Sequence, residues 1–338
     1  MLVNVGKLMS HTSTKGGGGV KHPFNPSLVD AWFMSGLSNS DKPTQIVGVK
    51  KNKLQLKNFA YALNSGFGEY ATDFNSWAHF NPIETTSNKI MLGGIGFRNI
   101  VTTKKAVPEL KILVSGFKDN IVYRYKTGGS FSNITINDNG VYTLPASEAI
   151  INTDTDINRL YTTNASADYS GMTIELLPTA YEGALMFDGV DDYGICTGLP
   201  ILDDYTVICR RVIEGNRSAN VVASKSVTTG KGAFIFEIFD TKNNTWSFGV
   251  QNDVDINYND SVSWQTKKSY NGEKNLVVGS GSDTDTLCLG LLREKDSRCL
   301  KGAIYYFALY DKSLTPEEIE EEKVKLESEW EGGKNELA

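Results

Sequence analysis

Gly183-Ala-Leu-Met-Phe-Asp-Gly-Val-Asp-Asp-Tyr-Gly194 and Leu300-Lys-Gly-Ala-Ile-Tyr-Tyr-Phe-Ala-Leu-Tyr-Asp-Lys-Ser-Leu-Thr-Pro-Glu-Glu-Ile319 are the two stretches that decide the fold. In the first, Leu185 and Phe187 alternate with their neighbours as strand residues do, and Asp188-Gly189 is a turn signal. In the second, the apolar run from Ala303 to Tyr310 is too short for a helix and predicts a buried strand. Both stretches therefore predict β structure.

A helix is expected directly after the second strand, over about 315–330. Thr315 fits the N-cap, Pro316 the first helical position, and Glu318 completes a capping box. The pattern predicts a packed face and a solvated acidic face. The packed face consists of Ile319, Lys323, Leu326 and Trp330, and the acidic face of Glu320, Glu321, Glu322 and Glu327.

Together the two stretches resemble the first and last strands of a concanavalin A-like lectin/glucanase jelly roll of the laminin-G-like kind. Upstream, Leu28-Val-Asp-Ala-Trp-Phe33 and Leu54-Gln-Leu-Lys-Asn-Phe59 are similar to the segment with which such proteins often begin. The resemblance implies an all-β jelly-roll sandwich. It implies little about chemistry, because one fold hosts many unrelated functions.

The spacing of these motifs predicts an insertion, since about 120 residues separate Phe59 from the first stretch. The jelly roll is then discontinuous, built from 24–80 plus 181–330. The insertion, 82–180, carries short strands at turn-separated intervals and is expected to be a small immunoglobulin-like β-sandwich. Residues 1–23 are expected to form an N-terminal arm with a glycine linker, and 331–338 a tail.

The arm contains the four-glycine tract Gly16–Gly19 and, before it, the short stretch Leu2–Val5. Such a stretch is able to add as a strand to another subunit. The arm is therefore expected to hold the protein to other proteins of an assembly; the alternative is a frayed terminus.

Composition excludes several classes of partner. The chain has 338 residues, a formal net charge of -6 and a pI near 5.3, which argues against nucleic acid and anionic membrane as partners. No stretch is apolar enough for a membrane span, and no signal peptide is apparent. The cysteines are expected to be free and buried, with disulfides after release from the cell left open. They are Cys196, Cys209, Cys288 and Cys299.

Calcium is the first candidate ligand, because carboxylates on adjacent loops supply the oxygen ligands it prefers. The family often holds a hard cation near its acidic loop. The candidate ligands are Asp188, Asp191, Asp192, Asp283 and Asp285. The alternative is that Asp188-Gly189 simply forms a turn and that Asp191 bonds its own backbone.

Carbohydrate is the second candidate ligand, since sugars stack on exposed aromatic rings. The candidates in polar, loop-like sequence are Trp246, Tyr258, Trp264 and Tyr270. The alternative is that these rings cover the sandwich edge or a subunit contact.

Glycosidase chemistry is not expected. The glucanases of this fold carry Glu-x-Asp-x-x-Glu on one strand, which places the three acids on one face. The nearest pair here, Glu237 and Asp240, is three residues apart and faces opposite sides of a strand. Without a nucleophile and base cluster either, we expect no enzyme.

The whole chain is similar to laminin-G-like proteins of gut Bacteroidales and their tailed phages, including the crAss-like group. This resemblance implies a non-enzymatic virion protein, a head or tail fibre or decoration subunit, assembled in the host cytoplasm. It also implies a homo-oligomer, dimer or trimer, whose jelly roll either contacts host surface polysaccharide weakly or serves as a plain structural block. The alternative is a bacterial glycan-binding or glycan-processing protein.

Overall fold

The computed structural model describes residues 23–80, 83–94, 99–151, 157–202, 204–214, 220–225, 234–240, 244–246, 250–251, 260–266, 285–292 and 298–335. These residues form antiparallel sheets and one α-helix near the C-terminal end, so the predicted all-β sandwich class is confirmed. Residues 1–22 of the predicted arm and the last three residues of the predicted tail lie outside the described residues, and the described part of the tail, 331–335, is helical. None of the described helices is long and apolar enough to cross a membrane.

The strands, in chain order, are β1 Leu28–Phe33, β2 Gln45–Val47, β3 Lys53–Lys57, β4 Gly66–Glu69, β5 Ala78–His79, β6 Ile83–Thr85, β7 Lys89–Leu92, β8 Asn99–Thr103, β9 Leu110–Ser115, β10 Ile121–Thr127, β11 Ser130–Ile136, β12 Gly140–Leu144, β13 Asn158–Thr162, β14 Thr173–Leu176, β15 Ala180–Asp188, β16 Tyr193–Cys196, β17 Thr206–Ile213, β18 Asn220–Ser224, β19 Ile235–Asp240, β20 Asn244–Trp246, β21 Val250–Gln251, β22 Ser261–Thr266, β23 Leu287–Leu289 and β24 Lys301–Tyr310. Short 3-10 helices span Asn39–Asp41 and Phe74–Ser76, and the helix α1 spans Pro316–Asn335.

Two sheets combine strands from before and after the insertion. Sheet A has the order β21-β22-β17-β24-β15-β4, with β1 also paired to β24. Sheet B has the order β2-β3-β16-β23-β18-β19-β20. One buried apolar cluster includes side chains of both sheets, such as Leu54 and Phe236 from sheet B and Phe307 from sheet A. The two sheets therefore share a core.

Strand β24 lies at the centre of sheet A, and nine of its ten residues are buried. It pairs with β17 on one side, and on the other with β15 at its start and β1 at its end. Phe307 and Leu309 belong to the core between the sheets, whereas Ala308 and Tyr310 belong to a second cluster that includes α1. Burial on both faces explains the unbroken apolar run.

Helix α1 begins with the predicted capping box. The backbone N–H of Thr315 donates to Oε2 of Glu318 at 2.8 Å, and the N–H of Glu318 donates to Oγ1 of Thr315 at 3.2 Å. The apolar side chains of Ile319, Leu326 and Trp330 pack on sheet A. The reciprocal cap fixes where the helix starts, and the apolar stripe fixes which face meets the sheet.

The prediction that Glu322 and Glu327 stay in water is wrong. Glu322 is 1% exposed and accepts from the Tyr310 hydroxyl at 2.9 Å. Glu327 accepts from the Tyr306 hydroxyl and from Arg210, each at 2.9 Å. The sheet presents hydroxyl and guanidinium donors to the helix, and these donors satisfy carboxylates that would otherwise be costly to bury.

Strands β5 to β14, which begin just before the predicted insertion, form two further five-stranded sheets. Sheet C has the order β11-β10-β13-β8-β5, and sheet D has the order β12-β9-β14-β7-β6. A single buried cluster contains side chains of both, including Tyr123 and Leu160 from sheet C and Ile112 and Ile174 from sheet D. Residues before the predicted boundary at 82 also belong to this cluster, namely Tyr70, Phe74 and Trp77.

Candidate functional site

The segment Asp188–Asp192, which we call the acidic turn, connects β15 to β16. Oδ1 of Asp188 accepts from the backbone N–H of Val190 at 2.7 Å and, less closely, from that of Asp191 at 3.4 Å. Gly189 has a φ of +79°, a left-handed conformation that glycine adopts without a steric penalty. The Asp188-Gly189 pair therefore forms a turn that its own side chain stabilises.

The Asp192 side chain hydrogen-bonds both to this turn and to Ser65, which is distant in sequence. Its Oδ1 accepts from the Ser65 hydroxyl at 3.0 Å, and its Oδ2 accepts from the backbone N–H of Asp188 at 3.0 Å. Oγ of Ser65 in turn accepts from the N–H of Ala60 at 2.8 Å, and the side chain of Asn58 donates to the carbonyl of Asp191 at 2.9 Å. The acidic turn is thus hydrogen-bonded to the segment 58–65.

Burial gives the Asp192 carboxyl unusual acid–base behaviour. Its side chain is fully buried. Its pKa is raised from 3.8 to about 7, chiefly by desolvation and also by the charges of Asp188 and Asp191, while the hydrogen bonds from Asp188 and Ser65 act to lower it. Near neutral pH this carboxyl is therefore divided between its protonated and ionised forms.

The acidic turn offers part of a calcium site. Ligand oxygens of Asp188, Asp191 and Asp192 lie within 4.8 Å of one another, and this is the one such group of three or more among the described residues. Calcium takes six to eight oxygens. Both oxygens of Asp192 and one of Asp188 already accept hydrogen bonds. The carboxylate of Asp191 and the second oxygen of Asp188 are the atoms best able to bind a cation.

Of the other two predicted calcium ligands, only Asp285 is described, and it is not part of this group. Asp283 lies outside the described residues. Asp285 lies beyond the opposite end of β16, where its Oδ2 accepts from the N–H of Gly198 at 3.3 Å. Near it, Lys225 is fully buried and donates to the carbonyl of Pro200. Burial lowers the pKa of Lys225 to about 8, and the negative charge of Asp285 acts in the opposite direction.

Of the four aromatic candidates, only Trp264 has a described side chain. Tyr258 and Tyr270 lie outside the described residues, and Trp246 is described only by its place in β20. Trp264 lies in β22 and is partly buried, packed against the cluster between sheet A and α1. Its position agrees with the alternative in which the ring covers part of the sandwich.

The residues that could act as nucleophiles or bases are the cysteines, His79 and the pair Glu237 and Asp240. All four cysteines are buried and outside any disulfide, and burial raises the pKa of the Cys196 thiol to about 11. Nδ1 of His79 lies 2.9 Å from the carbonyl oxygen of Trp77, a neighbour in sequence. Glu237 and Asp240 are described only as backbone positions in β19.

Sequence reasoning missed a pair of adjacent arginines on sheet C. Arg124 and Arg159 are direct neighbours across the β10–β13 pair. Each guanidinium lies over an aromatic ring, Arg124 over Phe131 at 4.7 Å and Arg159 over Tyr161 at 4.5 Å from the ring centroid. The sequence signal was the alternation of charged and aromatic residues in β10, β11 and β13, but only the pairing of the strands brings the residues together.

Scans of protein-family models, of curated proteins and of solved structures found no match to this chain.

Proposed function

We propose that this chain is a non-enzymatic structural protein of a phage virion, a head or tail fibre or decoration subunit, whose β modules contact host surface glycans. The resemblance of the two fold-deciding stretches to laminin-G-like jelly rolls supports the lectin-like part. The all-β architecture with its shared core between sheets A and B is in keeping with it.

The observation that carries the non-enzymatic part is the structural use of four described carboxylates. Asp192 bonds the Ser65 hydroxyl across 127 residues of sequence, and Asp188 closes its own turn. Glu322 and Glu327 fasten α1 to tyrosines of β24. Catalytic carboxylates need to converge on a substrate position, whereas these carboxylates converge on internal donors.

The place of the insertion supports a display role. Strands β4 and β15 pair antiparallel, with Glu69 opposite Ala180, so the chain leaves and re-enters the first module at neighbouring positions. The backbone N–H of Thr179 donates to the carbonyl of Glu69 at 2.7 Å at this junction. An insertion joined at neighbouring positions leaves the core between sheets A and B uninterrupted.

Three finer parts of the proposal depend on the resemblance. They are assembly as a dimer or trimer, attachment to other virion proteins through residues 1–23, and calcium at the acidic turn. The aromatic candidates for glycan contact also remain part of the proposal, and two of the four lie outside the described residues.

The decisive experiment is immunogold electron microscopy, with an antibody raised against the full chain, on virus particles purified from cells that express it. Regular labelling of particles at a head or tail position supports the proposal, and its absence from purified particles contradicts it. In parallel, the full chain is applied to an array of host polysaccharides with and without EDTA. Hydrolysis of a bound polysaccharide would instead establish the glycan-processing alternative.

A further inference from the structure

Strand β11 ends sheet C, and among the described residues only one of its two edges has a neighbouring strand. With seven residues, Ser130–Ile136, it is the longest of the strands at which the described sheet orders end. Its pairing with β10 runs without a bulge, and none of its residues is charged. Natural proteins keep exposed edge strands short, bulged or charged, which prevents association. An edge without these protections is a candidate interface.

The turn between β10 and β11 fixes which backbone groups face the open edge. Gly128 and Gly129 have φ values of +56° and +78°, positive at both positions as a two-residue type I′ turn requires. Such a turn is closed by a hydrogen-bonded pair, here Thr127 and Ser130, and hydrogen-bonded pairs then alternate along the ladder. The N–H and C=O groups that point to the open edge are therefore those of Phe131, Asn133 and Thr135.

This edge is unsatisfied in the described part of the chain. The backbone hydrogen bonds made there outside helices and strands include none to Phe131, Asn133 or Thr135. Ile134 lies opposite Tyr123 and so faces the core, yet it is only partly buried because the edge beside it is open. Unpaired backbone groups of this kind pair with an added strand. A strand added here would also cover Ile134.

The sequence of β11 fits a second copy of itself. The three edge-facing residues are spaced symmetrically about Asn133. Antiparallel pairing with Asn133 opposite its own counterpart places Phe131 of each copy opposite Thr135 of the other. All three residues then form hydrogen-bonded pairs, which exchange two bonds each, or about six in total. Aromatic and β-branched residues also stabilise each other across strands. The same patch serves both copies, as a two-fold dimer requires.

The charges around β11 permit this contact. Neither β11 nor the next edge strand, β12, has a charged residue, so the contact sets no like charges directly opposite each other. The cations Arg124 and Lys126 lie one strand further back, on β10. The β10 backbones of the two copies would be separated by three strand spacings, or about 14 Å. Exposed charges are largely screened beyond about 8 Å at physiological salt.

We propose that the open edge of β11 pairs with the same edge of a second copy of this chain, so that sheet C continues from one copy into the other. The inference deepens the proposed function, on which it rests, by naming the surface through which the homo-oligomer assembles. It commits the oligomer to a dimer, because each copy uses its edge once and the contact closes on itself.

The first test is sedimentation of the full chain over a range of concentrations, in which we expect a reversible monomer–dimer equilibrium. Asn133→Lys should raise the dissociation constant of the dimer about tenfold or more, because it sets two like charges directly opposite each other. Asn133 is exposed, so the fold tolerates the change. The control Met91→Lys makes the same change in net charge at a 40% exposed strand residue of sheet D and should leave the dissociation constant unchanged.

Disulfide trapping tests the register and does not depend on how Asn133→Lys folds. Asn133→Cys should give a covalent dimer on oxidation, because Cα atoms of a hydrogen-bonded pair are about 5.5 Å apart, within reach of a disulfide. Thr135→Cys is the matched control on the same face of β11. Its counterpart in the second copy would lie about 13 Å away along the strand, too far for a disulfide. The native cysteines are buried.

Three results would overturn the inference. They are a wild type that stays monomeric at every concentration, equal dissociation constants for Asn133→Lys and Met91→Lys, and a dimer that Asn133→Cys does not trap or that Thr135→Cys traps equally well. The last would indicate another contact, such as strand addition by residues 1–22.

Failure of the proposed function is seen separately. Absence of the chain from virus particles would contradict that function, while a dimer trapped by Asn133→Cys would leave this inference standing. Labelled particles together with a monomeric chain would overturn this inference alone.

Discussion

Replacing Asp192 with asparagine should make the protein less sensitive to rising pH. Folding raises the pKa of this carboxyl from 3.8 to about 7, with burial as the main cause. The native state therefore holds a proton that the unfolded chain releases. By linkage, this contribution to stability is fully present below pH 3.8 and is lost as the pH rises through about 7.

The magnitude follows from the same two values. Each factor of ten in acidity corresponds to about 1.4 kcal/mol, so ionising the buried carboxyl costs the folded state up to about 4 kcal/mol. Asparagine carries no such cost. Its Oδ1 is able to accept from the N–H of Asp188, and its amide to donate to Oγ of Ser65, so both contacts of the turn are retained.

The assay is urea unfolding in EDTA at pH 4.5 and at pH 8. Near pH 4.5 we expect Asp192→Asn to lie within about 1 kcal/mol of the wild type, the worth of a typical hydrogen bond. At pH 8 the variant should be more stable than the wild type. The difference in unfolding free energy between the two should be about 2–4 kcal/mol larger than at pH 4.5. The control Asp311→Asn removes an exposed carboxylate of the same module.

A stability difference between Asp192→Asn and the wild type that is the same at both pH values would refute the reasoning. So would a variant that is less stable than the wild type at pH 8, because ionised Asp192 would then be a favourable partner and not a buried charge.

The remaining predictions concern packing, backbone space and the cation. Trp330→Ala should lower the free energy of unfolding by about 3–5 kcal/mol in chemical denaturation, since the ring is 5% exposed and its Nε1–H donates to the carbonyl of Gly183 at 2.8 Å. The control Val324→Ala, at a site 71% exposed on the same helix, should change it by less than about 0.5 kcal/mol. Gly302→Ala should cost about 3 kcal/mol or more, because the new Cβ would lie 2.2 Å from the carbonyl oxygen of Val212, and unchanged unfolding would contradict that close approach. Gly332→Ala should stabilise by up to about 1 kcal/mol, since this helical position has no atom within 4 Å of an added Cβ. Excess calcium should raise the melting temperature at pH 7.5 and EDTA should reverse the rise if the acidic turn binds a cation; equal melting temperatures in the two conditions would remove the calcium proposal.

Features that depend on neighbours in sequence were predicted correctly. The capping box of α1 involves Thr315 and Glu318, three residues apart, and both hydrogen bonds are present. The apolar run of β24 predicted a buried strand, and nine of its ten residues are buried. In these cases the interacting groups are fixed by the local backbone, so the residue types alone indicate the structure.

Features that depend on distant neighbours were not predicted from residue type. Glu322 and Glu327 follow a pattern typical of a solvated face, yet hydroxyl donors of β24 hold them against the sheet. Asp192 belongs to a motif that predicts metal binding, and its partner Ser65 comes from a loop before the insertion. A carboxylate's environment depends on which donors surround it, and those donors came from elsewhere in the chain.

The sequence by itself determined an all-β protein with a capped C-terminal helix, because strand alternation, apolar runs and caps act over a few residues. Only the tertiary structure decided which strands are adjacent. Pairing β10 with β13 sets Arg124 opposite Arg159, residues 35 positions apart in the chain. Strand pairing depends on the burial of whole faces in a common core, and that choice is made by the folded chain and not by any one segment.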